Sequence, residues 1–286
     1  MTKHISGSSF ADEAFDPTLS QSYYLSIRVA TDGVSFCILD PVRNLFITFG
    51  YHPLEIKNGN WAELWYILET EPLFELEYQK VIVLYEEKYS VLVPGMLYRA
   101  DRTAEILNFT FSSGLENAIY MENRIKLADA VNIFAIPKQL ADRFRNQFGD
   151  VHFLHATTPL LESNMIDGLP VNGQSTIRLH FEKNRFYILV LERRNLKLFN
   201  QFDISSPNDM IYFLLFAIDQ LQLSTNDILL LLSGTIERDG EYQQMLKNYF
   251  KKVRFEKIDR HVNFSHALRD VDYPRHFQLF NFSLCV

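Results

Sequence analysis

The chain states nearly the same pattern twice at the spacing of a domain. Ser26-Ile27-Arg28-Val29 is answered by Thr176-Ile177-Arg178-Leu179, and Phe36-Cys37-Ile38-Leu39 by Phe186-Tyr187-Ile188-Leu189, each 150 residues further on. One inserted residue then brings Asn44-Leu45 onto Asn195-Leu196. A period this long is that of a whole domain and not of a solenoid repeat. The expectation is two copies of one α/β unit packed face to face with a cleft between them.

The elements repeat in the same order. Tyr24 to Val29, Val34 to Leu39 and Leu45 to Phe49 read as three strands, the first two joined through Asp32-Gly33, a dipeptide suited to a tight hairpin. Trp61, Leu64, Trp65 and Leu68 fall at helical spacing, and Lys80 to Leu84 is a continuous apolar run that predicts a buried parallel strand beside the first. Lys88 to Ile136 reads as an inserted lobe. A helix carrying Leu140, Phe144 and Phe148 and ended by Gly149, a strand at Val151 to His155 and a helix at Pro159 to Ile166 follow. Gly168 to Gly173 is the expected linker.

In the second half, Thr176 to Phe181, Arg185 to Leu191 and Leu196 to Phe202 are strands, and Ser206-Pro207 with Asp209 marks a helix start. Strand Ile228 to Leu232, a helix from Tyr242 to Tyr249 and strand Val253 to Phe255 complete the order; from Tyr273 onward either a helix or a strand fits. The domains are therefore expected at 1–170, with 88–136 as the lobe, and at 171–286.

Composition narrows the function classes. With 286 residues, 47% of them hydrophobic and 14% aromatic, the chain can bury two cores. A net charge of −7 opposes attraction to phosphate backbones and anionic lipid, so neither nucleic acid nor stable membrane insertion is expected. The two cysteines, Cys37 and Cys285, offer no disulfide framework and no metal spacing. The first residues lack the apolar stretch of a secretory signal, and a cytoplasmic location is the expectation.

A three-strand meander with two crossover helices, repeated, resembles the actin, hexokinase and Hsp70 superfamily of two ribonuclease H-like domains. In particular the chain looks like an uncharacterised actin-like family of Bacteroidetes, over about residues 23–286. The resemblance implies an actin-like ATPase fold related by internal duplication. It also implies a nucleotide gripped by the turns of both hairpins, with an acidic residue beside each turn for the metal.

The residues at those places are of another kind. The first hairpin reads Arg28-Val29-Ala30-Thr31-Asp32-Gly33 and the second Arg178-Leu179-His180-Phe181-Glu182-Lys183-Asn184, the latter with no glycine. Arg28 and Arg178 stand near the expected aspartates, and a guanidinium removes a Mg²⁺ ligand and repels the ion. Each arginine either lines the cleft and takes an anion or a partner's carboxylate, or pairs with a local carboxylate. The adenosine-binding turn would be Ser233-Gly234-Thr235, with Glu237 or Arg238 toward a ribose, although a strand-to-helix turn wants glycine for backbone reasons alone. Thr31, Asp32, Gly33, Lys183, Asn184, Gly234 and Glu237 are thus the candidate cofactor contacts.

Other patterns fail on context. Gly168 to Gly173 has phosphate-loop glycine spacing, but Gln174 replaces the lysine and a strand follows. His152 and His155, three apart on a strand, point to opposite faces. No catalytic residue and no metal site is nominated. No cofactor is expected, ATP being the one that the resemblance allows. The leading expectation is a degenerate actin-like pseudo-ATPase that serves as a scaffold for a protein partner. The rival is an ATPase or sugar-kinase-like phosphotransferase with non-standard phosphate contacts. The apolar tail Phe277, Leu279, Phe280, Phe282 and Leu284 reads as a core element in preference to a membrane contact.

Overall fold

The structure, a computed structural model, describes residues 8–54, 60–167, 175–192, 195–258 and 261–286. β1 (Ser8–Ala11) precedes a meander of β2 (Tyr24–Ala30), β3 (Gly33–Asp40) and β4 (Leu45–Pro53). Helix α1 (Ala62–Thr70) crosses over to β5 (Lys80–Tyr85), which lies parallel to β2 with Ile27 beside Val83. The chain then builds β6 (Ser90–Pro94), α2 (Thr103–Thr110), β7 (Ala118–Ile125) and β8 (Ala130–Pro137). It returns through α3 (Lys138–Phe148) to β9 (Val151–His155) and enters α4 (Thr157–Asp167). The main sheet has the order β1-β4-β3-β2-β5-β9.

Alternation decides what each face meets. Leu25, Ile27 and Val29 of β2 and Val34, Phe36 and Ile38 of β3 are fully buried, in one core with Leu64 of α1 and Leu140 and Phe144 of α3. On the other face Phe46 and Phe49 pack on Phe280 at ring distances of 5.2 and 5.6 Å, and the Cys37 thiol lies 3.9 Å from the Leu279 carbonyl. Burial pushes the Cys37 thiol pKa up, so the group stays protonated. Phe277, Leu279, Phe280 and Phe282 are buried and Leu284 is half-buried, so the tail packs as a core element up to Phe282. Among the described residues no helix is long and apolar enough to cross a membrane.

The second sheet repeats the first. β10 (Ser175–Glu182), β11 (Arg185–Glu192) and β12 (Asn195–Asp203) are its meander. Helix α5 (Pro207–Gln220) leads to β13 (Ile228–Gly234) and α6 (Glu241–Tyr249) to β14 (Lys252–Phe255). The order β12-β11-β10-β13-β14 is that of β4-β3-β2-β5-β9, with the same parallel and antiparallel partners. Ser206 starts α5 as a reciprocal cap: its hydroxyl accepts from the Asp209 amide, and the Asp209 carboxylate accepts from Ser206 N–H. A short helix, α7 (Phe277–Phe280), is followed by a 3₁₀ turn at Phe282–Cys285.

Register corrects the residue-by-residue match. Both hairpins turn on two residues, Thr31-Asp32 and Lys183-Asn184, because Ala30 pairs with Gly33 and Glu182 with Arg185. Both meanders carry a bulge at one place, where Ile47 is skipped between Ile38 and Leu39 and Lys197 between Val190 and Leu191. Counted from turn and bulge, the equivalent of Arg28 is His180, and that of Arg178 is Ser26. The apparent match of the two arginines is therefore displaced by two residues. A slip of two keeps every side chain on its own face, so alternation alone does not detect it.

The chain forms two compact units: one holds the residues through Pro159 with 261–271 and 278–286, the other Leu160 through Ile258 with Asp272–Phe277. The expected boundary at 170 and the Gly168 to Gly173 linker lie outside the described residues. In the first unit, β6, β8 and β7 make a separate three-stranded sheet, and Leu107 of α2 packs with Val131 and Ile133 of β8. A buried polar cluster ties this lobe to β9. Asn123 donates to the Phe153 carbonyl at 3.1 Å and accepts from the amide of His155 and the hydroxyl of Thr158, both at 2.9 Å. The His155 ring meets Thr157 Oγ1 and the Glu87 carbonyl, each at 2.7 Å, while His152 is exposed.

Asn123→Ala removes three buried hydrogen bonds and leaves the Phe153 carbonyl and His155 amide without that partner. It is expected to lower stability by about 2–4 kcal/mol in urea unfolding. A loss below about 1 kcal/mol would mean that the cluster does not anchor the lobe.

Candidate functional site

At the first hairpin an internal ion pair lies near the place where the resemblance implies an acid. Arg28, 3% exposed, donates through Nε to Glu86 Oε2 at 2.8 Å and through Nη2 to Oε1 at 2.7 Å, and a second carboxylate, Asp32, stands 3.5 Å away. Glu86 directly follows β5, the strand parallel to β2, so the two charges meet across neighbouring strand ends. This two-point arrangement is the strong form of such a pair. The turn is also bound from below. The Asp32 carbonyl accepts from the Tyr51 hydroxyl at 3.1 Å and the Leu54 amide at 3.4 Å. A Cβ on Gly33 would lie 2.6 Å from the His52 carbonyl, so the glycine answers the close pass of β4.

At the second hairpin Lys183 and Asn184 are exposed, and the Asn184 carbonyl accepts from Ile204 N–H at 2.9 Å. Arg185 beside them bridges Glu182 at 3.2 Å and Asp203 at 2.9 Å. Burial works against its charge, yet the two carboxylates outweigh burial and hold the guanidinium pKa above its usual value. Arg178 pairs with Glu256 at 3.1 Å. Glu256 follows β14 whereas Glu86 follows β5, so the two arginine pairs are not symmetric copies. Both arginines meet local carboxylates.

Gly234 ends β13 with φ +86°, and a Cβ there would lie 1.9 Å from the Phe181 carbonyl. That carbonyl also accepts from Thr235 N–H at 2.8 Å. The turn thus rides directly over β10, which requires glycine whether or not anything binds. Beyond it opens a cavity of about 510 Å³ within the second unit, lined among others by Lys183, Thr235, Glu237, Glu241 and Tyr242. Glu182 and Asp239 also line it but pair with Arg185 and Lys247. Acidic residues thus predominate in the lining, with Lys183 its one base among the described residues, an unfavourable field for a polyanion.

Of the candidate contacts, the structure gathers Lys183 and Glu237 in this cavity beside Gly234. Thr31 and Asp32 form the turn of the first unit, with Gly33 opening β3 after it, and Asn184 completes the turn of the second. Among the described residues no group of three or more His, Cys, Asp or Glu side chains could hold a metal ion. Sequence reading missed Glu86 and Glu256. For Glu86 the available signal was an acid directly after the continuous apolar strand β5, which lies beside the strand that carries Arg28; for Glu256 there was no such signal, since Lys252 and Arg254 interrupt β14 and its neighbour is β13.

Two sheets of this order, each with its two crossover helices, define the actin-like ATPase fold. A Bacteroides thetaiotaomicron protein with actin-like ATPase fold and unknown function superposes with a TM-score of 0.76 at 26% identity, over 85% of this chain and 93% of that one. The PilM-PilN type IV pilus biogenesis complex matches with a TM-score of 0.57 at 10% identity, over 93% and 99%. No curated protein matches. The chain belongs to the family described as Protein of unknown function (DUF3822), whose model matches residues 12–253.

Substitutions at Arg28 and at Gly234, each with its control, test these assignments. Arg28→Met strands Glu86 in the interior and is expected to cost about 3–5 kcal/mol, while Arg28→Met with Glu86→Leu recovers most of it in chemical denaturation. Equal losses for the two would show that the carboxylate is not held by this pair. Gly234→Ala is expected to cost more than about 3 kcal/mol through its clash, against about 1 kcal/mol for Gly149→Ala. Gly149 also has positive φ, 75°, but nothing lies within 4 Å of its would-be Cβ.

Proposed function

We propose that this protein uses the actin-like framework as a scaffold that binds another protein, without nucleotide hydrolysis. The observation that carries the reading is the Arg28 and Glu86 pair, a neutralised guanidinium near the place where the resemblance implies a metal-binding carboxylate. Further support comes from the second turn, which lacks glycine, and from the acid-rich cavity beside Lys183. The partner is a protein, and the inserted lobe is the place proposed to meet it. Its surface carries Phe109 at 92%, Met96 at 88% and Leu97 at 67% exposure. The PilM structure, a protein of the same fold in complex with PilN, supports the analogy at the level of the fold. The proposed location is the cytoplasm, with no nucleic acid among the partners given the charge of −7.

A second reading, a nucleotide-binding ATPase or phosphotransferase, is favoured by one observation: Lys183, Thr235 and Glu237 share a cavity large enough for a nucleoside. A thermal-shift titration with ATP and Mg²⁺ separates the two. The scaffold reading expects a flat response. Stabilisation approaching about 2.7 kcal/mol at a ligand concentration of 100 times Kd would instead establish the nucleotide reading.

A further inference from the structure

The two sheets differ at one edge. In the first, β1 pairs antiparallel with β4 over Thr48 to Tyr51, beginning immediately beyond the bulge at Ile47. The equivalent stretch of the second sheet is Leu198 to Gln201, immediately beyond the bulge at Lys197. There β12 is the outermost strand, and among the described residues no strand pairs with its outer side. It is nine residues long, and no residue along it is fully buried. A bulge and a lysine usually guard such an edge, but the same bulge does not keep β1 from pairing just past it.

We infer that the outer edge of β12 is a self-association site, where two copies of this chain join their second sheets antiparallel into one continuous sheet. The sequence of the strand selects both the occupant and the register. With a two-fold axis through Asn200, Leu198 of one copy faces Phe202 of the other, Phe199 faces Gln201, and Lys197 faces Asp203, each pair occurring twice. Leu198 and Phe202 are half-buried members of the second core, so this register extends that core across the junction. Lys197 and Asp203 stay exposed, at 47% and 72% of their side chains, while pairing with Glu192 and Arg185 of their own chain. Across the axis they form a mixed-charge network. An axis through Phe199 instead sets Leu198 against Asn200, and one through Gln201 sets Phe199 against Asp203. The Phe199 axis does match Phe199 with itself and Leu196 with Phe202 but sets Lys197 against Gln201, so the pairing of lysine with aspartate singles out the Asn200 register. This association goes beyond the scaffold reading and does not depend on whether nucleotide binds.

Sedimentation velocity of the full chain over a concentration series tests it. The expected result is a concentration-dependent doubling of mass. Asn200→Asp, which sets two carboxylates face to face on the axis, is expected to weaken association at least about tenfold with an unchanged thermal midpoint. Lys197→Asp is expected to dissociate the dimer, and Lys197→Asp with Asp203→Lys to restore it. A chain that stays monomeric throughout, including one that takes up a strand from a different protein at this edge, overturns the proposal. So does a dimer indifferent to Asn200→Asp and to the charge exchange.

Discussion

A guanidinium that is almost wholly buried survives in the middle of a sheet only if a carboxylate meets it, and in this protein Glu86 does so from the end of the neighbouring parallel strand. The pair depends on the crossover that brings β5 beside β2, and on β5 ending one residue before its acid. It also determines the chemistry of the first turn. Beside the turn two side chains satisfy each other's charge, and the Asp32 carboxylate stands 3.5 Å from the guanidinium. Removing either partner alone exposes the other to the low dielectric of the interior, which ties the integrity of the hairpin to the pair.

The two sheets share strand order, turn length and bulge position, yet their local chemistry has diverged. At the place of Arg28 the second sheet has His180, whose Nδ1 meets Ser233 Oγ at 2.8 Å, and Arg178 lies two residues earlier, paired with Glu256 just past β14. One sheet is closed at its edge by β1 while β12 ends the other. One crossover carries a lobe with its own core, and the corresponding segment of the second unit runs from β13 straight into α6. The architecture follows from backbone topology and apolar periodicity. The individual contacts do not.

Much of the framework was legible because alternation and helical spacing are local signals. The continuous run at Ile228 to Leu232, the Ser206 cap and the Gly149 stop each declared an element within a few residues. What remained hidden depends on distant contacts. β1 is a four-residue strand with no periodicity to read, and it exists because β4 offers an edge. The segment 278–286 belongs with the first unit because Phe46 and Phe49 provide a surface for Phe280, a fact that no window of sequence near Phe280 contains. For the candidate site, residue types were legible and pairings were not: the arginines were visible, their carboxylates were not, and the repeat was aligned two residues out because strand patterns tolerate that slip.

The first hairpin is closed by its own ion pair. A crystal structure grown with Mg²⁺ and a non-hydrolysable ATP analogue tests this most directly. The prediction is Arg28 and Glu86 still joined through two hydrogen bonds, with no triphosphate on either turn. A triphosphate seated on Thr31, Lys183 and Asn184, with a metal ion where the pair now lies, would contradict it.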